Sequence, residues 1–175
     1  MPLIIDGYNV LFAIARYRGH SVGDALEEAR SRLLDHLVCY HRAKDDDVTI
    51  VFDRRQPTGG TSRQERVGGV RILYAHPPRT ADDDILRLVE ASTAPRHLRV
   101  VTSDRELATN CARCGASVVG AMTFFNELTR YTRQAKREQE EHQLKTQPPS
   151  DAEVAEWLEV FDPTDGSRKN RKRPR

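Results

Sequence analysis

No stretch of about 18 apolar residues occurs in this chain, so no membrane-spanning helix is expected. Cysteine is scarce. Cys39, Cys111 and Cys114 are the three thiols, and an odd number argues for a reducing cytosol rather than a disulfide framework. Cys111 and Cys114 form one CxxC, but with Cys39 the only other thiol they do not read as a zinc site. The six histidines show no ligand spacing. No serine is paired with a recognisable base, no glycine loop is built to cradle phosphate, and no segment repeats. The first apolar run begins at Leu3, which leaves no room for a signal peptide and makes the cytoplasm the expected location.

The apolar fraction, 38%, is a little low and the charged fraction, 31%, is high. Both suit a compact body with charged extensions, and 175 residues suit one domain with an appendage. The net charge of +2 hides an asymmetry. Residues 168–175 hold six of the 28 basic residues, which leaves 22 against 26 acids, a body of about −4 with a basic tail. Such a tail is a device for non-specific attraction to polyphosphate.

Short apolar runs alternate with helical patterns. The runs at 3–5, 48–52, 70–75, 98–102 and 117–121 read as five strands. A short helix or turn is expected over 10–15 and a loop over 16–23. Residues 24–44 carry an amphipathic stripe of Leu26, Ala29, Leu33, Leu37 and Tyr40. Residues 54–69 read as a long basic loop with Gly59-Gly60 and Gly68-Gly69, and such loops are usually functional. Helices are expected from Thr80 to about residue 92, over 105–114 with Gly115 as its stop, and from a Thr123 cap. A polar continuation follows over 132–147, then Pro148-Pro149, then a capped helix bearing Val154, Trp157, Leu158 and Phe161 on one face. Strand–helix alternation means right-handed βαβ units and a parallel sheet. The expected order is 3-2-1-4-5 in this numbering, a Rossmann-like α/β/α sandwich with its switch point beside Asp6 and Asp104.

That topology gathers acids. Asp6 ends the central strand, where a buried carboxylate needs a partner. Asp82 and Asp83 open the helix after the third strand, and Asp104 follows the fourth. Hard divalent ions want such oxygen ligands, and metal-assisted phosphodiester cleavage needs an activated water and a stabilised leaving oxygen. Asn9 adds a carboxamide that can orient water or contact phosphate. Taken singly, each acid also has a plainer account. Asp82 and Asp83 suit the positive end of a helix, Asp104 suits an N-cap, Asp84 points to solvent, and Asp53 supports the rim. Arg54, Arg55, Arg63 and Arg66 suit an RNA groove or a solvated loop. Trp157 suits a packing anchor.

The ordered motifs DGYN (Asp6 to Asn9), EEAR (Glu27 to Arg30), VFD (Val51 to Asp53), TADD (Thr80 to Asp83) and TSD (Thr102 to Asp104) resemble those of the YacP-like NYN domains, nucleases of the PIN-like superfamily. The resemblance covers about residues 2–131, and more loosely the C-terminal helices. It implies an endoribonuclease with a Mg²⁺ or Mn²⁺ site in which Asp6, Asn9, Asp82, Asp83 and Asp104 take part, with Asp6, Asp82 and Asp104 on the metal. It implies RNA, and mRNA in particular, as the partner, and in one similar protein the ribosome as the place of action. The expected division is a nuclease domain over 1–131, a helical extension over 132–163 and a basic disordered tail over 164–175. The rivals are a non-catalytic RNA- or ribosome-binding module, a structure-specific DNA nuclease, and a phosphatase or receiver-type protein. The phosphatase pattern has a second acid two residues after the first, where this chain has Tyr8.

Overall fold

Leu3, Ile4 and Ile5 are apolar without alternation because both faces of the strand they form are covered. In the computed structural model, which describes residues 1–18, 26–53 and 64–146, this strand is β1 (Leu3–Asp6), followed directly by α1 (Gly7–Arg18). Then come α2 (Leu26–Lys44), β2 (Val48–Asp53), β3 (Gln64–Val67), β4 (Val70–Ala75), α3 (Ala81–Glu90), β5 (Arg99–Val101), α4 (Arg105–Arg113), β6 (Ser117–Val119) and α5 (Ala121–Thr146). Among the described residues the sheet has six strands in the order β3-β4-β2-β1-β5-β6. All neighbours are parallel except β3 and β4. The five parallel strands take the expected order, with β1 at the centre.

Successive residues of β1 face opposite layers. Leu3 and Ile5, with Ile50 and Phe52 of β2, pack against Leu33 and Leu37 of α2, Val10 of α1 and Phe124 and Leu128 of α5. Ile4, Val51 and Val100 pack against Ile85 and Val89 of α3 and Leu107 and Cys111 of α4. The result is a three-layer Rossmann-like sandwich. The chain divides into two compact units, Met1–Lys136 and Arg137–Arg175. In the second, the described residues 137–146 are helical.

Three local expectations are corrected. Residues 64–67 are not loop but an antiparallel edge strand, turned onto β4 through Gly68 and Gly69. Their φ values of 54° and 94° give the two left-handed positions that a two-residue hairpin turn requires. The helix after β1 is longer than expected at both ends: it starts at Gly7, with Asp6 as its cap, and runs on through Arg16 to Arg18. α5 starts at Ala121, so Thr123 lies inside its first turn. The Ala121 N–H is satisfied instead by the hydroxyl of Ser103, 18 residues away in sequence. The expected helix bearing Trp157 and the basic tail lie outside the described residues.

Candidate active site

The C-terminal ends of β1, β2 and β5 open onto one edge of the sheet, and each delivers a polar residue there. Asp6 is 7% exposed although charged. One carboxylate oxygen accepts the Asn9 N–H at 3.1 Å, the bond of an N-cap to the third helical residue. The other accepts the hydroxyl of Thr102 at 3.3 Å. Burial pushes the Asp6 carboxyl from an ordinary 3.8 up to about 6. The two hydrogen bonds pull it down, while the negative charges of Asp82 and Asp53 raise it further.

Asp82 sits in the first turn of α3. Its carboxyl is raised by desolvation and then by the charges of Asp104, Asp53, Asp83 and Glu106. Asp104 caps α4, accepting the N–H groups of Glu106 at 2.8 Å and Leu107 at 2.9 Å. The charges of Asp82 and Asp53 thus bear on Asp6, and those of Asp104 and Asp53 on Asp82, at one edge of the sheet. Among the described residues none of the four is ion-paired with a basic side chain.

Asp83 is turned elsewhere. Its carboxylate accepts the backbone N–H of Thr80 at 2.9 Å and the Thr80 hydroxyl at 3.1 Å, closing a capping box on α3. Those bonds hold its carboxyl below the ordinary range. Asn9 ties two edges together: its side-chain oxygen accepts the Ser103 N–H at 2.8 Å while its own N–H points to Asp6. Asp84 does not point free to solvent but pairs with Arg79 at 3.3 Å. Arg66 is exposed on β3, away from the parallel strand ends. Arg54, Arg55 and Arg63 lie outside the described residues.

Three further residues shape the edge. Asp53 accepts the Ala81 N–H at 2.7 Å and so holds the start of α3, and with it Asp82, against β2. Thr102, 2% exposed, donates to Asp6 and accepts the Asp104 N–H at 3.1 Å. Ser103 joins Asn9 to the start of α5. The TSD tripeptide carried the signal for the last two, since polar residues directly after a buried strand must find partners.

The donor set is all oxygen, as a hard divalent ion prefers. Among the described residues no three acids converge into a ready-made metal cage. The arrangement instead suits an ion held by one or two carboxylates, with water and phosphate oxygens completing its shell. A carboxyl raised by burial, and further by neighbouring negative charge, is what such an ion would relieve.

The sequence matches the YacP-like NYN domain profile over residues 3–161. The crystal structure of Rae1 (YacP) from Bacillus subtilis superposes with a TM-score of 0.70 at 23% identity, covering 93% of this chain and 92% of that one. That of a mutant form superposes with a TM-score of 0.65 at 23% identity, covering 92% of each. No curated protein matches the sequence.

Proposed function

The chain belongs to the YacP-like NYN domain family, and from that premise we propose that it is a divalent-metal-dependent endoribonuclease acting on single-stranded RNA. Membership and fold support a PIN-like, ribonuclease-type function. The observation that carries the finer reading is the cluster of Asp6, Asp53, Asp82 and Asp104 at one sheet edge, with Asp6 buried and its carboxyl raised to about 6.

Asp6, Asp82 and Asp104 would hold Mg²⁺ or Mn²⁺. Such an ion supplies an acidified water and neutralises charge on the scissile phosphate. Asp6 is oriented by Asn9 and Thr102. Asp53 fixes the height of α3 and therefore of Asp82. Asp83 assists by fixing the same helix start. The Asn9 oxygen is engaged by Ser103, so the group it can offer a phosphate oxygen is its amide N–H. Arg54, Arg55 and Arg63 would contact the RNA backbone near the acids, whereas Arg66, at the far end of β3, could reach only a more distant part of the strand. Messenger RNA on the ribosome is the setting that the sequence resemblance supports.

The test is cleavage of a labelled single-stranded RNA with Mn²⁺, Mg²⁺ or EDTA, comparing wild type with Asp6→Asn. Metal-dependent cutting that disappears in the variant is expected. No cutting by wild type, on free RNA or with translating ribosomes, would overturn the proposal. The alternative outcome is a non-catalytic RNA-binding module. That module would bind RNA equally well with Asp6→Asn and would never cut.

A further inference from the structure

The helix α5 starts at the acidic edge and leads away from it. The hydroxyl of Ser103, which directly follows Thr102, accepts the Ala121 N–H at 3.0 Å and so fixes the start of α5 there. Further along, Glu127 takes the Arg99 guanidinium in two hydrogen bonds of 3.2 and 2.7 Å. Arg99 is the first residue of β5. The helix therefore runs antiparallel to β5, from the C-terminal edge of the sheet to the opposite one. Its inner face is apolar, with Phe124 and Leu128 fully buried. Between Ala121 and Lys136 its exposed positions are Thr123, Asn126, Arg130, Arg133, Gln134 and Lys136, and none is acidic. Glu127, the acid of this stretch, is half-buried against Arg99. Arg130 and Arg133 are three apart and share a face. At the helical rise they lie about 14 and 18 Å along the axis from Ala121.

A third cation joins them from α2. The Lys44 ammonium lies 5.4 Å from the centre of the Tyr131 ring, and the Arg130 guanidinium lies 5.5 Å from it. A hydrogen bond from Lys44 holds the Tyr131 phenol below its ordinary range, and Arg130 acts in the same direction. Lys44, Arg130 and Arg133 are exposed, and among the described residues none is ion-paired with an acid. Asp46 is engaged by the Met1 amino group, while Asp45 and Asp47 stand exposed after Lys44 and limit the local positive charge. Each cation has a plainer account. Lys44 suits the negative end of α2, and exposed arginines keep a helix face wet. Neither account explains an exposed face without acids on a body of about −4.

We propose that Lys44, Arg130 and Arg133 are a second RNA-backbone contact, which holds the substrate strand where it leaves the acidic edge along α5. This inference rests on RNA being the substrate. A polyanion approaching carboxylates is repelled there, and cations one helix-length away offset that repulsion. Contacts to phosphate position a strand without reading its bases, so this face holds any sequence. Its distance from the acids makes it a contact of longer RNA. Lys136 has Glu140 at helical pair spacing, so the test leaves it in place.

The experiment uses the full chain in EDTA, where cutting is suppressed, and reads binding by fluorescence anisotropy over a salt series. The probes are labelled oligouridylates of about 12 and about 4 nucleotides, within the span of single-strand sites. The variant joins Lys44→Gln, Arg130→Gln and Arg133→Gln. With the longer RNA, its slope of log affinity against log salt is expected to fall by about 2, at about 0.7 per lost contact. With the shorter RNA, the difference from wild type is expected to vanish largely. A second variant, Arg130→Lys with Arg133→Lys, keeps the charges and is expected to keep the wild-type slope, which a loss of folding would not. An unchanged slope in the Gln variant, an equal drop at both lengths, or a matching drop in the Lys variant overturns the face. Wild type that binds no RNA overturns the face together with the reading of RNA as substrate. Cleavage with Mn²⁺ is scored separately. Cutting with an unchanged slope refutes the face and leaves the nuclease; the expected slopes without cutting refute the nuclease and leave the face.

Discussion

The Asp6 carboxylate accepts one hydrogen bond from the backbone of α1 and one from Thr102, and both act against the effect of its burial. Burial prevails, and the direction of the shift sets the pH dependence. With its carboxyl raised from 3.8 to about 6, the folded chain holds more protons here than the unfolded chain between those values. Stability therefore falls as pH rises through that window, and the loss is complete above it. At neutral pH without metal the buried charge costs on the order of 2–3 kcal/mol. Asp6→Asn keeps an acceptor for the Asn9 N–H and removes the charge. It should stabilise the metal-free protein by up to that amount at about pH 7.5, and by clearly less at about pH 5, in urea denaturation. The same variant should lose cleavage. Mg²⁺ should raise the Tm of wild type and not that of the variant, because only binding to the folded state stabilises it. Equal stability of the two proteins at both pH values would show that the carboxylate is already compensated.

The parallel strands and the helices between them were legible in the sequence, because each is either an uninterrupted apolar run or a stripe at helical spacing. β3 was not. Gln64, Glu65 and Arg66 are polar and exposed, and an edge strand with both faces wet leaves no hydrophobic pattern to read. Gly68-Gly69 was the available signal and was absorbed into a loop. The gathering of acids at one edge was legible from topology, but the bonds that aim them were not. Asp53 with Ala81, Thr102 with Asp6, and Ser103 with Ala121 are pairs 28, 96 and 18 residues apart in sequence. At this scale α3 gives a direct prediction. Asp83 closes the capping box whereas Asp82 faces the other acids, so Asp83→Asn, which retains an acceptor for Thr80, should leave most cleavage intact and Asp82→Asn should abolish it. Thr80→Ala should cost about 1 kcal/mol through loss of the cap. Equal loss of cleavage in the two Asn variants would place Asp83 among the reacting groups. The β1–α1 turn gives another. Gly7→Ala should lower stability by about 1–3 kcal/mol, since Phe52 must move. Phe52→Leu should then cost less in that background than in wild type, which a double-mutant cycle reads directly.

Charge is a property of the whole molecule, and here it divides by position along the chain. A body of about −4 that carries a cluster of carboxylates at its site should repel a polyanion at a distance. The six basic residues Arg168, Lys169, Arg171, Lys172, Arg173 and Arg175 act against that repulsion. If they contact phosphates, each releases condensed counterions, and affinity for single-stranded RNA falls with log salt by about 0.7 per contact. Removing residues 168–175 should therefore lower the slope of log affinity against log salt by up to about 4. Binding should weaken most at low ionic strength, where that term is largest. The rate at saturating RNA should stay unchanged, because the acids proposed to act on the phosphate belong to β1, α3 and the start of α4. Fluorescence anisotropy over a salt series, paired with single-turnover cleavage, separates the two quantities. An unchanged slope would mean that the tail does not touch RNA and that the backbone contacts come from the body. A reduced slope with a reduced saturated rate would mean that the tail also helps to place the phosphate over Asp6.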